Sequence, residues 1–220
     1  MSIRVKICGI TSAEAADAAM RARADFAGLV FFAASPRNLR SEQAASLAAR
    51  MRGQARIVAL LADANDQAIA TAIDAAQPDF LQLHGRETPA RVAEIRSHFG
   101  RPVIKALAVA EASDFAAAAA FEPVADLLLF DAKAPDNATR PGGHGAAFDW
   151  QLLRGRSFSR PWLLGGGLHA QNVARAIETS GASGVDVSSG VETSPGVKSA
   201  EMIGAFVTAA RAAQLARASA

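Results

Sequence analysis

The sequence predicts a single-domain α/β fold over residues 1–220, a (β/α)8 TIM barrel whose eight parallel strands close into one sheet. Three observations carry this. About eight apolar, strand-like runs recur along the chain, and most are separated by amphipathic helical segments, which is the pattern of a parallel sheet with crossover helices. Two strand-to-glycine turns follow one another late in the chain, Trp162–Gly167 and Gly184–Gly190. A closed barrel uses such a pair to hold a phosphate after its seventh and eighth strands. Finally, 220 residues, half of them hydrophobic, suffice for one sizeable core. An open doubly wound sheet is the rival, and the two late turns argue against it.

In chain order, the strands are expected at Ile3–Cys8, Phe26–Phe32, Arg56–Ala62, Phe80–His84, Val103–Leu107, Val124–Phe130, Pro161–Leu164 and Ser183–Val187. Thr11 with Glu14 suggests a capping box for the first helix, and Ser41 precedes an alanine-rich second one. Thr88-Pro89 places proline at a first helical position. A helix is expected from His169 to Ser180, its free N–H groups suited to an anion, and the last helix from Ser199 to Arg217. Ala132–Phe158 is long, polar and glycine-rich, without a helix or strand pattern before Phe148. Following the sixth strand, it is expected at the barrel mouth as an active-site lid.

Composition removes several function classes. The net charge is +2, and Lys and Arg are mixed with Asp and Glu rather than gathered in a basic block, so nucleic acid is not an expected partner. No apolar stretch approaches membrane-spanning length, and Met1–Gly9 lacks a signal peptide's apolar core. Cys8 is the single cysteine, which excludes an internal disulfide and fits a reducing cytoplasm. His84, His98, His144 and His169 are dispersed without metal-ligand spacing, and no Walker loop or dinucleotide fingerprint is present. The expected chemistry is acid–base work on a small phosphorylated molecule, with no metal and no cofactor, by a monomer or homodimer.

Barrel active sites gather at the carboxyl ends of the strands. Reading those ends gives Cys8, Arg37, His84, Asp131, Asp186, Ser188 and Ser189, with backbone around Gly166, Gly167 and Gly190 for a phosphate. Cys8 reads either as a small buried hydrophobe or as a thiolate base at the mouth. Asp131 reads as a turn former or as a carboxylic acid walled by Leu127 and Leu129, which alternation points the same way. His84 is a structural imidazole or a donor to substrate. Arg37 is a solvated cation or a fork for a carboxylate. The same alternation places Lys6 beneath Cys8 and Asp186 beneath Ser188. Strands one and eight are neighbours in a closed barrel, so Lys6 and Asp186 are expected to pair under the site and to help ionise Cys8.

These residues lie in motifs that resemble the phosphoribosylanthranilate isomerase family of tryptophan biosynthesis. The resemblance runs from Lys6 to about Lys198 and rests on Lys6-Ile7-Cys8-Gly9-Ile10-Thr11, Ser35-Pro36-Arg37, Gln82-Leu83-His84-Gly85, the Asp131 strand end with Phe148-Asp149-Trp150, and Gly184–Glu192. It implies an Amadori rearrangement of N-(5-phosphoribosyl)anthranilate, with Asp131 as general acid, Cys8 as general base, Arg37 on the anthranilate carboxylate and the glycine turns on the phosphate. The chain departs from the family pattern in Gly142-Gly143-His144-Gly145, where a threonine is usual at position 144, and at Gly165, where alanine is frequent. Rival readings are a related ring-opening isomerase of histidine synthesis, a flavin-binding barrel and a non-catalytic phosphosugar sensor.

Overall fold

The computed structural model describes residues 3–134, 142, 145 and 147–218, with side chains through residue 213. Eight parallel strands, β1 (Arg4–Cys8), β2 (Phe26–Val30), β3 (Arg56–Leu61), β4 (Phe80–Leu83), β5 (Val103–Val109), β6 (Leu127–Ala132), β7 (Trp162–Leu164) and β8 (Gly184–Val187), pair in chain order and close. Closure is made by β1 against β8, in a register that sets Lys6 opposite Asp186. Helices α1 (Ala13–Arg21), α2 (Ser41–Met51), α3 (Asp66–Ala76), α4 (Pro89–Phe99), α5 (Ala118–Phe121), α6 (Val173–Ser180) and α7 (Ala200–Ala218) cover the outside.

Two apolar cores result from strand alternation. One lies between sheet and helices and includes Val5, Ile7, Leu29, Leu81, Leu128 and Phe130. The other fills the barrel and is made by Phe26, Val58, Ile104, Ala106, Leu127, Leu129 and Leu163. Burying each such aliphatic side chain is worth roughly 1.5–3 kcal/mol. Leu127 and Leu129 belong to the inner set, so Asp131, two residues further on, stands above an apolar plug.

The structure departs from the sequence reading in three places. The first helix is capped by Ser12, whose Oγ accepts from the Ala15 N–H at 3.2 Å, instead of by Thr11. Thr11 instead donates through Oγ1 to the Gly196 carbonyl at 2.7 Å. The helix expected from His169 begins at Val173, because Asn172 Oδ1 accepts the His169 N–H at 2.8 Å and holds 169–172 as a turn. Between β6 and β7, where the sequence shows no helix or strand pattern before Phe148, the described residues hold one 3-10 turn, Trp150–Leu153. After β8 comes a hairpin the sequence reading lacks, β9 (Glu192–Ser194) paired antiparallel with β10 (Val197–Lys198). Thr88 and Pro89 open α4 as expected. Residues 135–141, 143, 144 and 146 of the segment read as a lid, His144 among them, lie outside the described residues. Among the described residues, no helix is long and apolar enough to cross a membrane.

Candidate active site

The strand ends converge on one pocket at the carboxyl face. Cys8, Arg37, His84 and Asp131 line it together with Gly166, Gly167, Asp186, Ser188, Ser189 and Gly190, so every residue proposed from the sequence faces the same cavity.

At the floor, Lys6 Nζ donates to Asp186 Oδ1 at 2.8 Å, and Lys6 is fully buried. This is the pairing expected from alternation. An unpaired ammonium at this depth would be expelled or neutralised. Burial works against the Lys6 charge, but Asp186 and the nearby Cys8 outweigh it and hold its pKa above the ordinary lysine range. The expected ionisation of Cys8 is only partly met. Burial pushes the thiol upward, Lys6 pulls it down, and burial wins, so the net shift is up. Gly28 on β2 makes room for this pair: a Cβ there would lie 3.0 Å from Cys8 Sγ and 3.3 Å from Lys6 Nζ.

Asp131 is placed by β6 between two polar neighbours. The Ala132 N–H donates to Oδ1 at 3.0 Å, and His84 Nε2 lies 3.2 Å from Oδ2. His84 is in turn contacted by Gln82, whose Nε2 is 3.0 Å from His84 Nδ1. The turn carrying His84 is anchored from outside the barrel. Lys105 Nζ donates to the Gly85 carbonyl at 2.7 Å and to Glu87 Oε2 at 2.7 Å, while Glu87 Oε1 accepts from the Asp63 N–H at 2.9 Å. Lys105 and Glu87 are both buried, and the ammonium outweighs the cost of burial and holds the Glu87 carboxyl below its ordinary range.

Arg37 is not a free fork. Its Nε and Nη2 each donate to Glu192 at 2.7 Å, a bidentate pair buried under the β9–β10 hairpin. Glu192 also accepts from Lys198 Nζ at 2.6 Å, and Lys198 donates onward to the Ser188 carbonyl at 3.0 Å. Burial opposes the Glu192 charge, but Arg37 and Lys198 together keep its pKa below the ordinary carboxylate range. Two of the five guanidinium N–H groups serve Glu192, which leaves the others for a ligand. Glu192 thus ties the Arg37 side of the pocket to the β8 turn. Sequence reading passed over Glu192, Lys198, Gln82, Glu87 and Lys105. Gln82 was within reach, since it shares a β4 face with His84 by alternation. Glu192 and Lys198 become neighbours only through a hairpin that nothing in their spacing announces.

An expected consequence is specific to this tie. Glu192→Gln keeps the shape but loses the charge that clamps Arg37, and KM is expected to rise about tenfold with kcat within about threefold, as for residues that orient a ligand-binding group. Steady-state kinetics checks this.

Opposite Arg37, the turn after β7 and the 3-10 turn Ser189–Val191 after β8 face each other. A Cβ on Gly190 would lie 1.8 Å from the Leu168 carbonyl oxygen, so only glycine lets the two turns approach this closely. Such paired backbone turns suit an anion. No group of three or more His, Cys, Asp or Glu able to hold a metal occurs among the described residues.

Fold and pocket define a class: a (β/α)8 barrel whose mouth gathers a thiol, a carboxyl and two glycine turns in one pocket. Residues 5–209 match the family model described as N-(5'phosphoribosyl)anthranilate (PRA) isomerase. The chain is 52% identical over 214 residues to the N-(5'-phosphoribosyl)anthranilate isomerase of Rhodopseudomonas palustris strain BisA53, covering 97% of this chain and 98% of that protein. Among solved structures it is similar to the phosphoribosyl anthranilate isomerase of Thermotoga maritima, with a TM-score of 0.86, 34% identity and coverage of 96% and 99% of the two chains. A further structure of that enzyme type, in complex with reduced 1-(o-carboxyphenylamino)-1-deoxyribulose 5-phosphate, aligns with a TM-score of 0.82 at 31% identity, covering 96% of this chain and 99% of that one. The chain belongs to the N-(5'-phosphoribosyl)anthranilate isomerase family.

Proposed function

We propose that Asp131 and Cys8 divide the proton transfers of the Amadori rearrangement by which this isomerase converts N-(5-phosphoribosyl)anthranilate to 1-(2-carboxyphenylamino)-1-deoxyribulose 5-phosphate in tryptophan biosynthesis. The observation carrying this reading is that the two groups line one pocket with the paired glycine turns. Asp131, protonated, gives its proton to the furanose ring oxygen. The C1–O bond breaks as the anilino nitrogen's lone pair forms the C1=N bond. Cys8, as thiolate, removes the C2 proton, and the C–H electron pair becomes the C1=C2 bond of an enolamine as the C1=N π pair returns to nitrogen. That enolamine then loses its enol proton and gains one at C1, leaving the ketone. Backbone N–H groups around Gly166, Gly167, Ser189 and Gly190 bind the phosphate, and the Arg37 donors not used by Glu192 bind the anthranilate carboxylate. Asp186 acts from below by holding Lys6. The step needs no metal or redox partner, because its electrons are rearranged within one molecule.

The partner is a small phosphoribosyl substrate, and a single thiol fits a cytoplasmic setting. Freshly made substrate is expected to lose its anthranilate-type fluorescence on addition of the protein, and the coding sequence to restore growth of a tryptophan auxotroph that lacks this isomerase. Failure of both would overturn the reading.

A further inference from the structure

Gln82 has a defect that the mechanism above leaves unused. Its Nε2 can only donate, so at 3.0 Å it makes His84 Nδ1 an acceptor. The imidazole proton is therefore on Nε2, which lies 3.2 Å from Asp131 Oδ2. With the Ala132 N–H on Oδ1, each Asp131 oxygen then faces an N–H group. Meanwhile Gln82 Oε1 is buried and has no hydrogen-bond partner among the described residues. An orphaned buried acceptor is costly, and it needs a reason.

We propose that Gln82 is a positioning residue whose carboxamide selects the tautomer of His84 and so keeps the ring N–H turned toward Asp131. This rests on Asp131 being the acid. The carboxamide holds Nε2 toward the ring although this leaves Oε1 unpaired; half a turn about its last bond would put Oε1 on the ring and leave Nε2 unpaired instead. With Oε1 facing the ring, Nδ1 would have to carry the proton. The native orientation therefore keeps Nδ1 an acceptor and turns the ring N–H toward Asp131. Gly142 closes this assembly from the loop side, since a Cβ there would lie 2.9 Å from Asp131 Oδ2 and 3.0 Å from His84 Nε2.

Nitrogen-15 spectra of the ring of His84 in the full chain test this, alongside steady-state kinetics of Gln82→Met. The native protein without ligand is expected to show His84 with its proton on Nε2 at neutral pH. Gln82→Met is expected to give a tautomer mixture and a kcat lower by about 10–100-fold, with KM within about threefold, the scale found when an outer-shell partner is lost. If Gln82→Met does not fold, Gln82→Glu is the second variant: its carboxylate can only accept, so it should hold a proton on Nδ1. An unchanged tautomer in the folded variant, or a kcat within about twofold of native, would overturn the proposal. Failure of the underlying reading looks different: Asp131→Asn would then retain kcat while the tautomer still responded to Gln82.

Discussion

Asp131→Asn is expected to lower kcat by about 10²–10⁴-fold, the usual contribution of a positioned acid or base. The variant keeps the volume and can keep a contact with His84, but an amide has no proton to give at this acidity. Its fold is expected to be undisturbed. Asp131 sits at the mouth, above the plug formed by Leu127 and Leu129, and its neighbours are a backbone N–H and an imidazole rather than a buried cation. Melting temperature and product-analogue binding should therefore stay near native while turnover collapses. Aspartate at this position with undiminished turnover in the asparagine variant cannot be the acid.

Cys8→Ser carries the second large effect, a loss of kcat in the same range of about 10²–10⁴-fold. A hydroxyl at this site is about the right size but does not ionise near neutral pH. The pH dependence separates this cause from simple repacking. Burial raises the thiol pKa above its ordinary value even though Lys6 opposes it, so at neutral pH the thiol form predominates in the protein without ligand. Raising the pH increases the thiolate fraction. For native protein, the Cys8 contribution to kcat/KM is thus expected to grow as pH rises from neutral toward the thiol pKa. The serine variant should lack that limb. A native profile flat through this range, or a serine variant with the same limb, would remove Cys8 from the base role.

The parts of the molecule legible in the sequence are those governed by local periodicity. Strand alternation placed Lys6, Cys8, Asp131, Asp186 and Ser188 on the barrel's inner side, and closure of β1 on β8 then required the Lys6–Asp186 contact observed at 2.8 Å. Its consequence for Cys8 was not legible, because it depends on whether burial or a neighbouring charge is larger. Arg37 shows a second limit. Its position at the mouth followed from the β2 turn, but its partner Glu192 is supplied from 155 residues away by a short hairpin. The α6 start was misplaced by four residues because Asn172 turns its side chain back onto the His169 N–H, a tertiary choice with no periodic signature. The buried Lys105–Glu87 pair under the His84 turn was invisible for the same reason: two charged residues on different elements read as solvated until the fold brings them together.

In the proposed mechanism Cys8 and Asp131, which line one pocket, act on a substrate whose phosphate and carboxylate are held by other groups. The most direct test of that mechanism is calorimetric binding of reduced 1-(o-carboxyphenylamino)-1-deoxyribulose 5-phosphate to native protein, Cys8→Ser and Asp131→Asn, with turnover measured on the same preparations. The expected result is a Kd within about threefold of native in both variants, with kcat down by at least about 100-fold in each. A variant that binds normally and keeps more than about a tenth of native kcat would contradict the account, since losing a proton-transfer group costs far more than that.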